Sequence, residues 1–170
     1  MTRAHLPALG YAYIVLTLPA LILGNTHPQA TAALLTGGGF AYLWFLAALS
    51  GRLVRYEPDG FFASVAVLGG GAFFVLQTLA VLSGDTAYSG PAAACATSVI
   101  VGASQAAYRA RKIPIWFARA GIAGGVAVAI VGLVEGAANW KLAGHSIFAS
   151  SLGFFIWVIV TATYLLRRAS

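Results

Sequence analysis

The chain has 170 residues, of which 60% are hydrophobic, 12% aromatic and only 8% charged. Soluble domains carry about 25% charged residues, so this composition excludes a disordered chain, a disulfide scaffold and a sizeable aqueous domain, and it predicts an integral membrane protein. The net charge of +6 comes from basic residues in short gaps between apolar runs, so we do not expect nucleic acid as a partner.

Six apolar runs have the length of about 20 residues that a helix needs to cross a hydrocarbon core of about 30 Å. They cover residues 8–24, 30–50, 61–83, 91–109, 115–137 and 145–166. Each run is too long and too evenly apolar for a barrel strand, and a backbone in lipid must satisfy its own polar groups. The sequence therefore predicts an all-α transmembrane bundle of six helices in a single domain. Pro19 lies inside the first run and is expected to kink that helix or shorten its regular part, unless neighbouring helices satisfy the freed carbonyl.

The distribution of the ten Lys and Arg residues predicts the orientation of this bundle. If the amino terminus is cytoplasmic, only Lys141 lies outside, and the remaining basic residues lie inside: Arg3, Arg52, Arg55, Arg109, Arg111, Lys112, Arg119, Arg167 and Arg168. Basic residues favour the cytoplasmic side of short loops, so both termini are expected in the cytoplasm. Anionic lipid is an expected partner of this basic rim. A rival interpretation, in which the first run is a cleaved signal peptide, requires an unusually long apolar region.

Small residues indicate close helix packing. Gly121 and Gly125, then Gly132 and Gly136, are each four residues apart, so they line one side of the fifth helix and predict close approach of another helix, within the chain or in a homo-oligomer or membrane partner. Glycine triplets at 37–39 and 69–71 either permit tight crossings or mark the interrupted helices of a transport site.

Glu135 is the only carboxylate inside a predicted span, and such residues are candidate functional groups. It lies near the outer end of the fifth helix, on the side that carries the glycines. One interpretation is a proton-linked transport site. The other is a carboxylate that reaches outer water or pairs with Lys141 or His145.

Two amides are the other polar candidates within the spans. Gln77 in the third helix is expected to form an interhelical hydrogen bond or to contact a substrate. Gln105 lies near the cytoplasmic end of the fourth helix, which is rich in Ala, Ser and Thr. That helix is the least lipophilic span, and we expect it to be the most buried one.

His27 and His145, with Asp85 and Glu135, are expected near the outer rim. Their spacing matches no metal motif, and no histidine is available at membrane depth to bind haem. The sequence also lacks a phosphate-binding loop, a zinc helix and a nucleophile elbow. It therefore predicts no cofactor, no metal and no catalytic residue. Trp44 and Trp157 are expected either to pack in the core or to line a ligand pocket.

Two segments of the chain carry a family resemblance. Residues 108–122, a basic turn followed by Pro114, Trp116 and a glycine-rich span, are similar to a loop of a large group of uncharacterised bacterial six-helix membrane proteins, and residues 42–71 resemble that group's second and third helices. The resemblance implies six helices in a bacterial plasma membrane. It implies no catalytic residues.

Three functions are compatible with these observations. The first is a structural, accessory or regulatory membrane component that acts through helix contacts. The second is a small transporter or channel that is proton-linked through Glu135. The third is a binder of lipid or another hydrophobic molecule.

Overall fold

The structure is a computed structural model that describes residues 6–24, 26–55, 59–111, 113–138 and 149–167, with side chains from residue 8 to residue 164. Within these residues the chain forms six α-helices: α1 (Leu6–Leu23), α2 (Pro28–Leu53), α3 (Phe61–Ser83), α4 (Ser89–Arg109), α5 (Ile115–Ala138) and α6 (Ala149–Arg167). A single 3₁₀ turn, Thr86–Tyr88, precedes α4. Each of the six predicted runs corresponds to one helix, so the all-helical prediction is confirmed.

Helices α2, α3 and α5 are each long and apolar enough to cross a membrane. Helices α1 and α6 contain shorter apolar stretches. Helix α4 is different because twelve of its 21 residues are buried, most of them Ala, Gly or Ser. These small side chains let α3 and α5 pack closely on both sides of α4, which confirms the prediction that the fourth helix is the most buried.

The helices are arranged as a closed ring in chain order. Each helix packs against the next one along the chain, with the most extensive contact between α4 and α5, and α6 returns to pack against α1. Where α1 meets α6, the hydroxyls of Tyr11 and Thr163 lie 2.6 Å apart, and Gly10 faces Ala162. The first and last helices are therefore neighbours.

Aromatic rings fill the middle of the ring of helices. The ring centroids of Tyr13 and Tyr42 lie 4.7 Å apart, and those of Phe73 and Phe154 lie 4.4 Å apart. Tyr42 also contacts Phe154 edge-on at 6.0 Å. All four side chains are at most 2% exposed, so the centre of the described bundle is closely packed.

The glycines of α5 pack as the sequence predicts. A methyl group built at Gly132 would overlap the Cβ of Ala93 in α4, and one built at Gly121 would overlap the Ser104 side chain. Across the same interface, the Thr97 hydroxyl lies 2.7 Å from the carbonyl oxygen of Gly125. The close approach of a neighbouring helix to this side of α5 is therefore confirmed, and the neighbour is α4.

The two glycine triplets permit tight crossings, because α2 and α3 continue through them without interruption. Gly39 faces the ring of Phe74, and Gly70 faces the side chains of Tyr42 and Leu46. Helix α1 likewise continues through Pro19 to Leu23, so this proline does not shorten the helix.

Candidate functional site

Glu135 connects the end of α5 to the start of α6. Its side chain is fully buried. Oε1 accepts hydrogen bonds from the backbone N–H of Ala149 and from that of Ser150, the latter at 3.2 Å. The Ser150 hydroxyl donates to Oε2 at 2.5 Å. The expectation that Glu135 reaches water is therefore wrong, and its other expected partners, Lys141 and His145, lie outside the described residues.

These bonds satisfy both the carboxylate and the helix terminus. The first N–H groups of an α-helix have no partner within the helix, and the partial positive charge at that end attracts an anion. A buried carboxylate in turn needs hydrogen-bond donors, because its transfer from water is costly. Glu135 thus acts as a side-chain cap supplied by a neighbouring helix, which fixes the start of α6 against α5.

Gln77 lies beside this contact and joins three helices. The Tyr13 hydroxyl of α1 donates to Oε1 of Gln77 at 3.0 Å, and Nε2 of Gln77 donates to the Ser151 hydroxyl of α6 at 3.3 Å. The predicted interhelical hydrogen bond of Gln77 is therefore confirmed. We call Tyr13, Gln77, Glu135, Ser150 and Ser151 the polar cluster.

The remaining predicted site residues do not join the polar cluster. Gln105 is half-buried one turn before the end of α4, at the opposite end of the bundle. His27 is exposed and precedes α2, and His145 lies outside the described residues. Among the residues that the structure describes, no three His, Cys, Asp or Glu side chains are close enough to hold a metal ion.

A groove runs between α5 and α6 on the outside of the bundle. Its volume is about 440 Å³, within the range of about 300–1,000 Å³ that is usual for ligand pockets. We call it the α5–α6 groove; its walls are formed by Ile100, Trp116, Phe117, Ala120, Gly121, Gly124, Ala127, Val128, Val131, Ala149, Ser150, Gly153, Ile156, Trp157 and Val160. Ser150 is the one polar side chain in this set, so the groove suits an apolar molecule.

Small residues on a second face of α5 create the groove. Gly124 faces open space, and Ala120 and Ala127 are exposed beside it. Across the groove, Trp157 of α6 is half-buried and stacks on Phe154 of the core at 5.7 Å. The groove is therefore bounded by the aromatic ring of Trp157 on the α6 side and by small residues on the α5 side.

The two ends of the groove differ in polarity. At one end Ser150 connects it to Glu135. At the other end Trp116 is 65% exposed, and Phe117 stacks on Tyr164 at 4.9 Å. This second end lies where α4 ends and α5 begins, together with the described arginines, and we call it the basic end. From Trp116 to Val131 the groove follows α5 for about 22 Å, at 1.5 Å per residue.

Of the two tryptophans singled out from the sequence, only Trp157 lines this groove. Trp44 is 45% exposed and lies beside Phe40, so the expectation that it packs in the core is wrong. A second groove of about 380 Å³ lies between α2 and α3, lined by Phe40, Phe74 and seven other residues. This second groove lies in the half of the bundle that is opposite the basic end.

Ser150 and Ser151 were not predicted from the sequence as partners of Glu135 and Gln77. Serines at the start of an apolar run are typical of a helix start, and Ser150 and Ser151 directly precede the apolar run of residues 152–160. No protein-family model, curated protein or solved structure matches the chain.

Proposed function

We propose that the chain is a six-span protein of the plasma membrane, with both termini in the cytoplasm, that binds a lipid or a similar hydrophobic molecule in the α5–α6 groove. The observation that carries the proposal is the α5–α6 groove itself, an apolar groove of about 440 Å³ with an aromatic wall and with Ser150 at one end. Hydrophobic ligand sites have this composition, mostly apolar with a few polar groups in fixed positions.

The membrane topology is supported by the ends of the helices. The described arginines lie at the end of α2, at the end of α4 and at the start of α5. In the described bundle these positions share one end, because the Arg109 guanidinium of α4 lies over the Phe62 ring at the start of α3, at 4.6 Å. A basic end with Trp116 and Tyr164 beside it matches a cytoplasmic membrane interface.

Within this proposal Glu135 is a structural group rather than a proton carrier. Both of its carboxylate oxygens accept hydrogen bonds from α6, and aromatic rings fill the centre of the bundle where a transport path would run. The geometry thus favours ligand binding over the proton-linked transport that the sequence also allowed.

Native mass spectrometry of the protein extracted in mild detergent tests the proposal. We expect about one bound lipid-like molecule per chain. Gly124→Leu places a side chain in the groove, so it is expected to remove most of this molecule. Gly71→Leu is the matched control, since Gly71 also faces open space but lies in α3. Wild-type protein without a bound molecule, or equal occupancy in Gly124→Leu, would contradict the proposal.

An accessory role through helix contacts is a second candidate, favoured by the exposed small residues Ala123 and Ala127 of α5. They are four residues apart, a spacing that lets a helix of another protein or of a second copy approach closely. Ala123 does not line the groove. Ala123→Leu is therefore expected to break a helix-mediated assembly without removing a groove-bound ligand, and size measurements in mild detergent separate the two functions.

A further inference from the structure

The protons at the polar end of the α5–α6 groove are already used within the protein. Ala149 and Ser150 line this end, and the Ser150 hydroxyl donates its proton to Oε2 of Glu135 at 2.5 Å. The backbone N–H groups of Ala149 and Ser150 donate to Oε1 of the same carboxylate. The three protons that these two residues present are therefore all taken by Glu135.

The oxygen of Ser150 remains as an acceptor. A serine hydroxyl has one proton to donate and two lone pairs that can accept. Donation of that proton to a carboxylate polarises the hydroxyl, because hydrogen bonds in a chain strengthen one another. A ligand that makes a hydrogen bond at this end of the groove therefore has to supply the donor.

The charge behind Ser150 disfavours an anionic ligand. The start of a helix attracts an anion, but on α6 this place is already occupied by Glu135. The donors to Glu135 are two backbone N–H groups and one hydroxyl, all of them uncharged. The partial charge of a helix start is about +0.5, which offsets only part of a carboxylate charge. A phosphate or carboxylate group beside Ser150 would thus meet a like charge.

The small number of acceptors favours a hydroxyl over an ammonium group. An ammonium group has three protons to donate, whereas a hydroxyl has one, and a buried charge is costly unless it is paired and hydrogen-bonded. Glu135 is fully buried and Ser150 is only 4% exposed, so the carboxylate lies behind the serine. Among the described residues that line the groove, no side chain other than Ser150 offers an oxygen acceptor. One acceptor in an apolar groove matches one hydroxyl.

We infer that the ligand of the α5–α6 groove is an uncharged lipid with a free hydroxyl group, which donates its proton to Oγ of Ser150 while a hydrocarbon chain lies between α5 and α6. This inference rests on the proposed function, since it names the class of molecule that the groove binds. In the proposed orientation α6 begins on the outer side of the membrane. The hydroxyl then lies at the outer interface, and the chain extends past Gly124 and Trp157 toward the basic end.

Four probes with the same hydrocarbon chain test this assignment on the delipidated protein in mild detergent. They are hexadecanol, hexadecyl methyl ether, hexadecylamine and hexadecyl sulfate, and binding is followed by tryptophan fluorescence because Trp116 and Trp157 line the groove. Hexadecanol is expected to bind about fivefold more tightly than its methyl ether, which corresponds to about 1 kcal/mol, the net value of one hydrogen bond. The amine is expected to bind less tightly than hexadecanol, and the sulfate at least about tenfold less tightly.

Substitution of Ser150 tests where the hydroxyl binds. Ser150→Ala removes the acceptor, so the preference for hexadecanol over the methyl ether is expected to fall below about twofold, whereas Ser150→Thr keeps a hydroxyl and should retain it. Ser89→Ala is the matched control. Ser89 is buried at the same end of the bundle and donates to the carbonyl oxygen of Thr86 at 2.7 Å, but it does not line the groove. This control is expected to retain the fivefold preference.

The outcomes separate this inference from the proposed function. If the four probes bind the wild type equally well and Gly124→Leu weakens all of them, the groove binds hydrophobic molecules but the hydroxyl assignment is wrong. Tighter binding of the amine or the sulfate than of hexadecanol would overturn the assignment to an uncharged lipid. A Ser150→Ala protein that keeps the full preference would overturn the role of Ser150. If no probe binds the wild type, both proposals fail.

Discussion

Replacing Glu135 with alanine tests whether this carboxylate holds α6 in place. The substitution removes three accepted hydrogen bonds and leaves the backbone N–H groups of Ala149 and Ser150 without their acceptor. A buried donor left unpaired costs about 1–3 kcal/mol. Part of this cost is offset, because the variant no longer buries a carboxylate.

The expected net loss for Glu135→Ala is about 3 kcal/mol of unfolding free energy. For a chain of this length, 1 kcal/mol shifts Tm by about 2–4 °C, so Tm should fall by about 6–12 °C. Glu135→Gln keeps a carbonyl oxygen that can accept from the same N–H groups. Its expected loss is about 1 kcal/mol.

Thermal unfolding in mild detergent, followed by circular dichroism, measures these differences. Leu133→Ala is a suitable control, because Leu133 lies two residues away on α5 and is 62% exposed, and a change at such a position is expected to stay within about 0.5 kcal/mol. A Glu135→Ala protein as stable as this control would refute the capping role. A Glu135→Gln protein as unstable as Glu135→Ala would show that the charge, rather than the acceptor geometry, is what α6 requires.

Three further changes test other parts of the structure. Gln77→Leu leaves the hydroxyls of Tyr13 and Ser151 without their amide partner and is expected to lower the unfolding free energy by about 1–3 kcal/mol; in a double-mutant cycle with Tyr13→Phe, additive effects would argue against the hydrogen bond. Gly132→Val forces α5 away from Ala93 and should cost about 1–3 kcal/mol, whereas Gly71→Val, at an open position outside the groove, should leave Tm nearly unchanged; equal losses would show that the α4–α5 contact is not the cause. In a Cys95→Ala background, single cysteines at Thr26 and Asp85 should react with an impermeant maleimide in intact cells, and cysteines at Asp59 and Arg111 only after permeabilisation; the reverse pattern would overturn the proposed orientation.

The helices could be predicted because apolar runs of this length are typical of membrane-spanning helices. Each apolar run of about 20 residues matches the thickness of a bilayer core, and each run became one helix. The glycine spacing on α5 was equally informative, since positions four apart share a helix face, and Gly132 does lie against α4.

The candidate site was harder to predict, because its partners are set by tertiary structure. Periodicity placed Glu135 on the glycine side of α5, but its hydrogen-bond donors come from the start of α6. The position of Trp44 was not predictable for a second reason. Lipid is as apolar as a protein core, so an indole ring is stable on the outer surface of a membrane bundle as well as in its core. The groove was not predictable, because Gly124 in the open groove and Gly125 against α4 are the same residue type in adjacent positions.

The contact between α1 and α6 has a consequence for the order of synthesis. A chain made from its amino terminus contains α1 before α6, so the ring of helices can close only after α6 has been made. Until then the amide of Gln77 lacks Ser151 and the carboxylate of Glu135 lacks its donors. Packing of α6 supplies both sets of partners together, which makes it the step that commits the nascent chain to its final fold.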